Sequence, residues 1–531
     1  MNAGMTELTG TATLTRFLLR RDRARIAVWI VSSPLLVLLT AASVTGLYPT
    51  QHDLDVAARG SAGNAAAIAF NGPPLALDTM GGEVAFQTGT IGLVVVALMN
   101  IFMVGRGTRG EEEAGRTELV RALPTGRHAG VAATLLVVAG MNTAVAAAVT
   151  LGLTALGLPA TGSIVFGMSF LALGLVFAAF TTVAAQVSEN TRAVHGGAGA
   201  VLGLAFVLRA VGDIGDGTAS WFSPIGWVQK TRPYAGERWW PLLLAAVGVT
   251  AALALAAALA ARRDLGAGLV PPRPGPARAA ARLGRPLGLA LRLQRGSLIG
   301  WSCAVFLAGI AYGWVANDVQ DLIGDNDTMR KVIARFGGTS ITDAYLTRSL
   351  LTVALVGAGF AVQSALRPRG EETALYAEPV LATPVSRLRW AGSHLTVAVV
   401  GSVVVLGAAG LGTGLTYALV SHDAGQIPRL LGAALLYAPA LWLLAAVAIA
   451  LTGLAPRAVS AAWAVLGLCL VTGVLGDVLG LPDWLLGLSP FQHLPQLPAD
   501  RSAFGAPVAV TAIAAALAAT GLTAFRRRDI G

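Results

Sequence analysis

Long apolar runs separated by short charged segments follow one another along the whole chain. A membrane-spanning helix needs about 20 predominantly apolar residues, and runs of this order without Asp, Glu, Lys or Arg recur from end to end. Because the run 129–188 is long enough for two spans with a turn at Leu158-Pro159, the first half predicts six spans: 26–50, 84–105, two in 129–188, 193–208 and 240–261. The second half predicts six more: 296–317, 349–366, 395–421, 430–456, 458–476 and 502–525.

Composition supports the same fold class. With 55% hydrophobic and 12% charged residues in 531, and a mean hydropathy of +0.68, the chain has too few charges to cover soluble domains of this size. We predict an all-α integral membrane protein with about 12 transmembrane helices. The first span is expected to be a retained signal anchor rather than a cleaved signal peptide.

The positive charges of the chain indicate its orientation in the membrane. Although the net charge is +10, the arginines flank apolar runs, so a nucleic-acid partner is not expected. Arginines cluster before the first span, after the sixth and after the twelfth, which places both termini and the join between the halves in the cytoplasm. The expected location is the bacterial cytoplasmic membrane, crossed many times.

One charged segment occurs twice. Residues 109–127 read RGEEEAGRTELVRALPTGR, residues 369–387 read RGEETALYAEPVLATPVSR, and ten of the nineteen positions match without a gap. We call these two segments the RGEE elements. Both lie between the second and third predicted spans of their half, on the cytoplasmic side.

Other matches extend the duplication over the chain. RRDLG after the sixth span recurs as RRDIG at the end of the chain, and Ser223-Pro224 recurs as Ser489-Pro490. We predict a first six-helix half over residues 1–261, a cytoplasmic Pro/Gly/Arg-rich linker over 262–285 and a second six-helix half over 286–531. An even number of spans makes the halves parallel repeats. Each half is expected to open with an amphipathic helix in the cytoplasmic interface.

The RGEE elements are the candidate site. A helix beginning near Glu111 would align Gly115, Leu119 and Leu123 on one apolar stripe and end at Pro124, whereas Pro379 is expected to interrupt the second copy. Because topology signals need only basic residues, retention of three glutamates in both copies indicates docking of a cytoplasmic partner. The residues predicted for this role are Arg109, Glu111, Glu112, Glu118, Leu119, Leu123, Pro124, Arg369, Glu371, Glu372, Glu378 and Pro384.

Enzymatic and metal chemistry are not expected of the chain. Its two lysines, Lys230 and Lys331, do not follow glycines, so it has no phosphate-binding loop of the Walker type. We recognise no catalytic triad, no paired carboxylates at catalytic spacing and no histidines at metal-binding spacing. No cofactor is predicted to bind this chain.

The chain resembles the membrane-spanning permeases of type 2 ABC exporters, in particular the duplicated actinobacterial form that exports polyketide antibiotics and other drugs. The resemblance covers both halves and rests on the RGEE elements, the Ser-Pro pairs and the terminal RRRDIG. It implies export of hydrophobic or amphiphilic compounds by alternating access, driven by a separate ATPase subunit, a homodimer that carries ATP and Mg²⁺. The RGEE elements would seat on that ATPase, and charge reversal at Glu111 and Glu112 would uncouple transport while leaving the fold intact.

Polar residues at the outer ends of spans are secondary candidates. Arg209, Asp213 and Asp477 could line an outer gate or the substrate path, or simply mark the end of a span. The alternative function is a proton-coupled secondary multidrug transporter, which also has twelve spans in two halves; a membrane scaffold is a third. Proton-coupled transport is disfavoured because the predicted spans lack the acidic residues that it would require in their middle.

Overall fold

The computed structural model describes residues 7–62, 65–264, 266–271, 275–316, 341–476, 481–498 and 505–528. The protein is 79% helical, with no strand in these ranges, which confirms the predicted all-α membrane fold. The chain divides into two compact units, Met1–Pro274 and Gly275–Gly531. The division falls inside the segment 262–285.

The first unit contains long apolar helices joined by short ones. In chain order its α-helices are α1 (Thr11–Arg21), α2 (Arg23–Leu47), α3 (Gln51–Ala62), α4 (Ala65–Asn71), α5 (Met80–Gly107), α6 (Arg109–Glu113), α7 (Arg116–Arg121), α8 (Ala129–Ala155), α9 (Ala160–Val187), α10 (Thr191–Ile214), α11 (Pro224–Gln229) and α12 (Pro241–Ala260).

The second unit repeats this order. Its α-helices are α13 (Pro286–Val315), α14 (Ile341–Ala365), α15 (Arg367–Thr373), α16 (Ala377–Leu381), α17 (Arg387–Ser421), α18 (Gln426–Leu435), α19 (Ala438–Leu454), α20 (Ala461–Leu470), α21 (Asp483–Leu486) and α22 (Gly505–Arg527).

Eleven helices of the described ranges are long and apolar enough to cross a membrane. They match eleven of the twelve predicted spans. The remaining span, 458–476, corresponds to the shorter apolar helix Ala461–Val474, after which residues 477–480 lie outside the described ranges. The predicted span 430–456 consists of α18 and α19, which meet just before Pro439.

The same two spans form the centre of each unit. In the first unit the second and fourth spans are 72% and 67% buried, and in the second unit the corresponding values are 78% and 67%. The first and last spans of each unit are at most 28% buried, so they lie at the periphery. Since all these helices are apolar, burial here is a matter of position and not of composition.

A pair of amides links the second and third spans of the first unit. The side chains of Asn100 in α5 and Asn142 in α8 exchange two hydrogen bonds, at 2.9 and 2.8 Å, and both residues are fully buried. Each amide also donates to a carbonyl of its own helix. Such reciprocal bonds fix the register of two apolar helices that could otherwise slide past each other.

The predicted amphipathic helix forms separately in the first half only. α1 is an individual helix that ends at Arg21, directly before Asp22. Its Phe17, Leu19, Arg16 and Arg20 are exposed, whereas Arg21 is half-buried. In the second half the corresponding segment is the beginning of α13, which runs without a break into the span. The prediction of a separate helix there is wrong, because Gln294 stands where Asp22 ends α1 and leaves the helix uninterrupted.

Close packing of α19 and α22 gives a test of the fold. A methyl group added to Gly521 would come within 2.6 Å of the Ala450 Cα, whereas one added to Gly467 in α20 would meet nothing within 4 Å. Alanine favours a helix by about 1 kcal/mol over glycine, but forcing two helices apart costs about 1–3 kcal/mol. We expect Gly521→Ala to lower the melting temperature in detergent and Gly467→Ala to leave it unchanged or raise it. Equal melting temperatures for the two variants would contradict this packing.

Candidate functional site

The first RGEE element contains two short helices. α6 ends at Glu113 and α7 begins at Arg116, and between them Gly115 adopts a left-handed conformation with φ of 69°. The predicted single helix is therefore wrong. Glycine reaches positive φ without steric cost and commonly ends helices in this way, so the sequence contained the signal for this turn.

The second RGEE element has the same turn without a glycine. Leu375, which aligns with Gly115, has a φ of 60° between α15 and α16. The expectation that Pro379 interrupts the helix is also wrong. It lies in the first turn of α16, where the missing N–H has no helical partner. A leucine in the left-handed region costs about 1–2 kcal/mol, so the surrounding contacts impose this turn.

One glutamate of each RGEE element is held between two arginines. The Glu112 carboxylate pairs with Arg109 of its own element and with Arg263, whose Nη2 lies 2.7 Å from Oε1. In the second unit Glu372 pairs with Arg369 at 3.0 Å and with Arg528. Arg263 and Arg528 are the second arginines of the repeated RRD motifs. Two motifs that are far apart in sequence thus form a single structure in each half, which we call the Arg–Glu–Arg clamp.

The clamp of the first unit forms contacts at the ends of α9 and α12. Arg109 is 1% exposed. It donates to the Ser188 carbonyl, directly after α9, at 2.6 Å, and to the Ala267 carbonyl at 2.7 Å. Arg263 donates to the side chain of Gln186 at 2.7 Å. The element is therefore fixed against the ends of α9 and α12.

The beginning of the predicted linker is part of this structure. The backbone N–H groups of Leu269 and Val270 donate to the carbonyls of Gln186 and Val187, at 3.2 and 3.0 Å. Both side chains are exposed, but this stretch of the predicted linker is fixed to the first half because its backbone groups are paired with the end of α9.

Two other glutamates of the first element, Glu111 and Glu113, tie it to α1 and α10. Glu111 accepts from Arg21 of α1 at 3.0 Å and from Arg116 of α7 at 2.8 Å. Glu113 accepts from the backbone N–H and the hydroxyl of Thr191, the first residue of α10. A carboxylate at a helix N-terminus also has favourable electrostatics with the helix dipole.

A second acidic residue, Asp22, lies beside the contact between Glu111 and Arg21. Asp22, between α1 and α2, accepts from Arg21 at 2.8 Å and from Arg25 at 2.7 Å. Burial alone would raise the pKa of Asp22, but hydrogen bonds from these two arginines lower it below its ordinary value. Asp22 is therefore charged at neutral pH and joins α1 and α2 electrostatically.

In the second unit, the remaining acids divide into a buried and an exposed one. Glu371 is 6% exposed and accepts from Arg367 at 2.8 Å, while His394 of α17 lies 3.7 Å away. Glu378 is exposed in α16. The two adjacent glutamates of each element thus bind within the chain, where sequence analysis assigned them to contact with a partner.

Large apolar side chains are exposed on the surface of both elements. Leu119 is 72% and Leu123 62% exposed, and Leu375 and Tyr376 are 62% and 70% exposed. The predicted residues Glu118, Pro124 and Pro384 are exposed beside them. Leu375 and Tyr376 were not predicted, although Leu375 aligns with Gly115 of the predicted apolar stripe. The exposed face of each element is the part that a partner can reach.

The candidate outer-gate residues form a buried ion pair. Arg209 Nη1 lies 3.5 Å from Asp213 Oδ2, and both side chains are at most 2% exposed. Arg209 also donates to the carbonyls of Ile68 and Phe70 at the end of α4, at 3.3 and 3.4 Å. The helix α10 continues through both residues to Ile214, so the span does not end before them. Asp477 lies outside the described residues.

A buried carboxylate escaped the sequence analysis. Glu83 is 1% exposed in the first turn of α5, and Gln87 donates to its Oε1 at 2.6 Å. The predicted span began at Val84, because the glutamate interrupts the charge-free run. The aligned residue of the second half is Asp343, which pairs with Arg429 at 2.8 Å. An acid at the same place in both copies was the signal that could have revealed it.

Comparison with known proteins places this geometry in a family. The family model described as the C-terminal domain of multidrug efflux system permease Rv1217c matches residues 283–526. The multidrug efflux system permease protein Rv1217c of Mycobacterium tuberculosis is 41% identical over 526 residues, which cover 98% of this chain and 95% of that protein.

The clamp predicts a strong dependence of stability on Glu112. In Glu112→Gln, Arg109 and Arg263 lose the carboxylate that neutralises them in a nearly buried site, which costs on the order of 3 kcal/mol. We expect a clearly lower melting temperature in detergent, and a smaller additional loss when Arg263→Gln is combined with it, because the two residues are coupled. This lower stability differs from the expectation from sequence that charge reversal at Glu112 leaves the fold intact.

The matched control is Glu118→Gln in the same element. Glu118 is exposed, so its substitution is expected to change stability by no more than about 0.5 kcal/mol. Strict additivity of Glu112→Gln and Arg263→Gln would show that the clamp does not act as a unit.

Proposed function

Because the chain belongs to the multidrug efflux permease family of Rv1217c and is a permease subunit of that kind, we propose that a separate ATP-binding subunit drives its transport. The permease contributes the path across the membrane, and ATP and Mg²⁺ bind the partner. The cargo is hydrophobic or amphiphilic, as multidrug efflux implies.

The observation that carries this proposal is the exposed apolar face on a fixed element. Leu119 and Leu123 project from a segment that the Arg–Glu–Arg clamp holds against the ends of α9 and α12. Burying a leucine side chain contributes about 1.5–3 kcal/mol, so such residues on a polar loop favour a protein partner. An RGEE element that is fixed in this way can transmit a movement of that partner to the spans.

The duplication sets the stoichiometry of the proposal. One chain carries two RGEE elements, and each would seat one copy of the same ATP-binding subunit, which makes the partner a homodimer. ATP-driven closure of the dimer would move the elements, and with them the two halves, to alternate access to the cargo. Because Leu375 and Tyr376 replace the Gly115 and Arg116 of the first copy, the two seats are not identical.

The topology of the proposal follows from the arginines. Both termini and both RGEE elements are assigned to the cytoplasm, where ATP is available, in a bacterial cytoplasmic membrane. The flanking arginines support this orientation by the positive-inside rule. Within the described residues, Arg16, Arg20 and Arg23 precede or begin α2, and Arg526 and Arg527 end α22.

Removing the apolar side chains tests the docking directly. We expect Leu119→Ala/Leu123→Ala to reduce co-purification of the ATP-binding subunit and drug-stimulated ATP hydrolysis in membranes by at least tenfold, which corresponds to about 1.4 kcal/mol. The melting temperature of the permease should remain unchanged, because both side chains are exposed.

Leu151→Ala is the matched control. Leu151 lies near the end of α8 and is 70% exposed, close to the 72% of Leu119. It should retain full co-purification and coupling. Equal retention of the partner by both variants would remove the RGEE elements from the docking surface.

A second function, proton-coupled efflux, has one observation in its favour. Glu83 provides the buried carboxyl group that such a mechanism requires. If ATP drives transport, Glu83→Gln, which preserves the shape and the amide contact, should leave efflux from energised vesicles unchanged. Loss of efflux in this variant, together with arrest of the wild type when the proton gradient is dissipated at constant ATP, would favour the secondary transporter.

A further inference from the structure

A cavity of about 210 Å³ lies in the first unit between α8, α9 and α12. Val131, Leu135 and Leu253 form part of its apolar wall, together with alanines of α8 and α12. Its polar lining comes from the end of α7, from the two residues before α8, from α9, and from the Arg–Glu–Arg clamp with the adjoining Asp264. A groove beneath α1 and α7 adjoins it and shares Arg121 and Arg127.

The mouth of the cavity is basic. Arg121 and Arg127 are both exposed. The guanidinium group of Arg121 donates to the carbonyl of Arg127 at 3.3 Å, and that of Arg127 donates to the carbonyl of Ala260 at 2.6 Å. Of the two acids in the lining, Glu112 is engaged by the clamp and Asp264 is exposed. His128 faces Glu7 at 3.4 Å.

The N-terminus of α8 adds to this positive potential. α8 begins at Ala129, immediately after Arg127 and His128, and has no side-chain cap at His128. The first N–H groups of a helix attract anions. Apolar walls below two arginines and a helix N-terminus are the complement of an anionic amphiphile.

The second half fills the corresponding space with its own side chains. Ala260, which lines the cavity, aligns with Phe525, and Gly130, which borders the adjoining groove, aligns with Trp390. Trp390 and Phe525 stack at a centroid distance of 5.8 Å and are 2% and 0% exposed. A side-chain atom added at Gly130 would meet nothing within 4 Å. The same fold thus occurs with an open and with a filled site.

We propose that this cavity binds one anionic membrane phospholipid. Its phosphate contacts Arg121 at the end of α7 and Arg127 just before α8, and one acyl chain lies between α8 and α12. Arginine is well suited to phosphate because its planar donors form paired, charge-assisted hydrogen bonds. The second half, with Trp390 and Phe525 in place, does not bind a lipid at the equivalent position.

The size of the cavity favours a chain over a bulky ring system. Sites for drug-sized ligands have volumes of about 300–1,000 Å³, whereas this cavity has about 210 Å³. A narrow apolar slot accepts a flexible acyl chain end-on, with its second chain in the bilayer. The proposal does not depend on the ATP-binding subunit.

Thermal unfolding of the full chain in neutral detergent tests the proposal. We add phosphatidylglycerol or phosphatidylcholine with the same acyl chains; a ligand that binds the folded state raises the melting temperature. The wild type should show a larger rise with phosphatidylglycerol. The difference should vanish in Gly130→Trp/Ala260→Phe, which copies the filled site of the second half, and in Arg121→Gln/Arg127→Gln.

Arg16→Gln/Arg20→Gln is the matched control. It removes the same charge from exposed positions of α1 that do not line the cavity, so it should keep the full difference. If the double aromatic variant does not fold, Ala257→Leu, which copies Leu522 of the second half, narrows the same slot. Native mass spectrometry should count one retained phosphatidylglycerol in the wild type and none in the filled variant.

Three outcomes would overturn the proposal. Equal shifts with the two lipids would show that the headgroup is not recognised. A persisting phosphatidylglycerol shift in a folded, filled variant would place the lipid elsewhere. Loss of drug efflux in the filled variant, with the lipid shift intact, would assign the cavity to cargo.

Discussion

The Arg–Glu–Arg clamp is the interaction on which the arrangement of each half depends. A carboxylate that lies between two guanidinium groups in a nearly buried site is tolerated only while all three charges are present, because each isolated charge would be costly to bury. Glu112 therefore requires Arg263, and Arg263 comes directly after the last span of its half. The clamp fixes the loop between the second and third spans to the end of the sixth. In an apolar bundle, where helices gain little from associating with one another instead of with lipid, such a contact determines which ends meet.

Comparison of the two halves shows which structural features the arrangement requires and which can vary. Both halves keep the clamp, with Glu372 between Arg369 and Arg528, and both keep the left-handed turn, although only Gly115 adopts it without strain. The halves differ where nothing in the clamp constrains them. Ala260 leaves a cavity where Phe525 fills one, so two copies of one fold have acquired different interiors.

The sequence predicts most of the fold because apolar runs of span length arise for one physical reason, the thickness of the bilayer. Eleven long helices agree with it. Details decided by single residues were not predictable from periodicity: the break at Gly115, the continuous α13 and the buried Glu83. The clamp connects positions about half a domain apart, so no local pattern reveals it. Its two motifs nevertheless recur together in both halves, and that pairing was the available signal.

The position of the clamp also explains why acidic residues are retained beside the exposed leucines that we propose as the partner-binding surface. Glu111 and Glu112 do not need to touch a partner to matter for it, because they orient the segment that carries Leu119 and Leu123. The element can transmit a movement of the proposed partner to the spans only if it is held rigidly within the permease. Ion pairs to α1 and to the segment after α12, with Glu113 on the N-terminus of α10, hold the element rigidly. In the proposed complex, the exposed leucines would make the contact with the ATP-binding subunit. The charged residues of the element therefore act within the chain, and its apolar residues are the proposed contact with the partner.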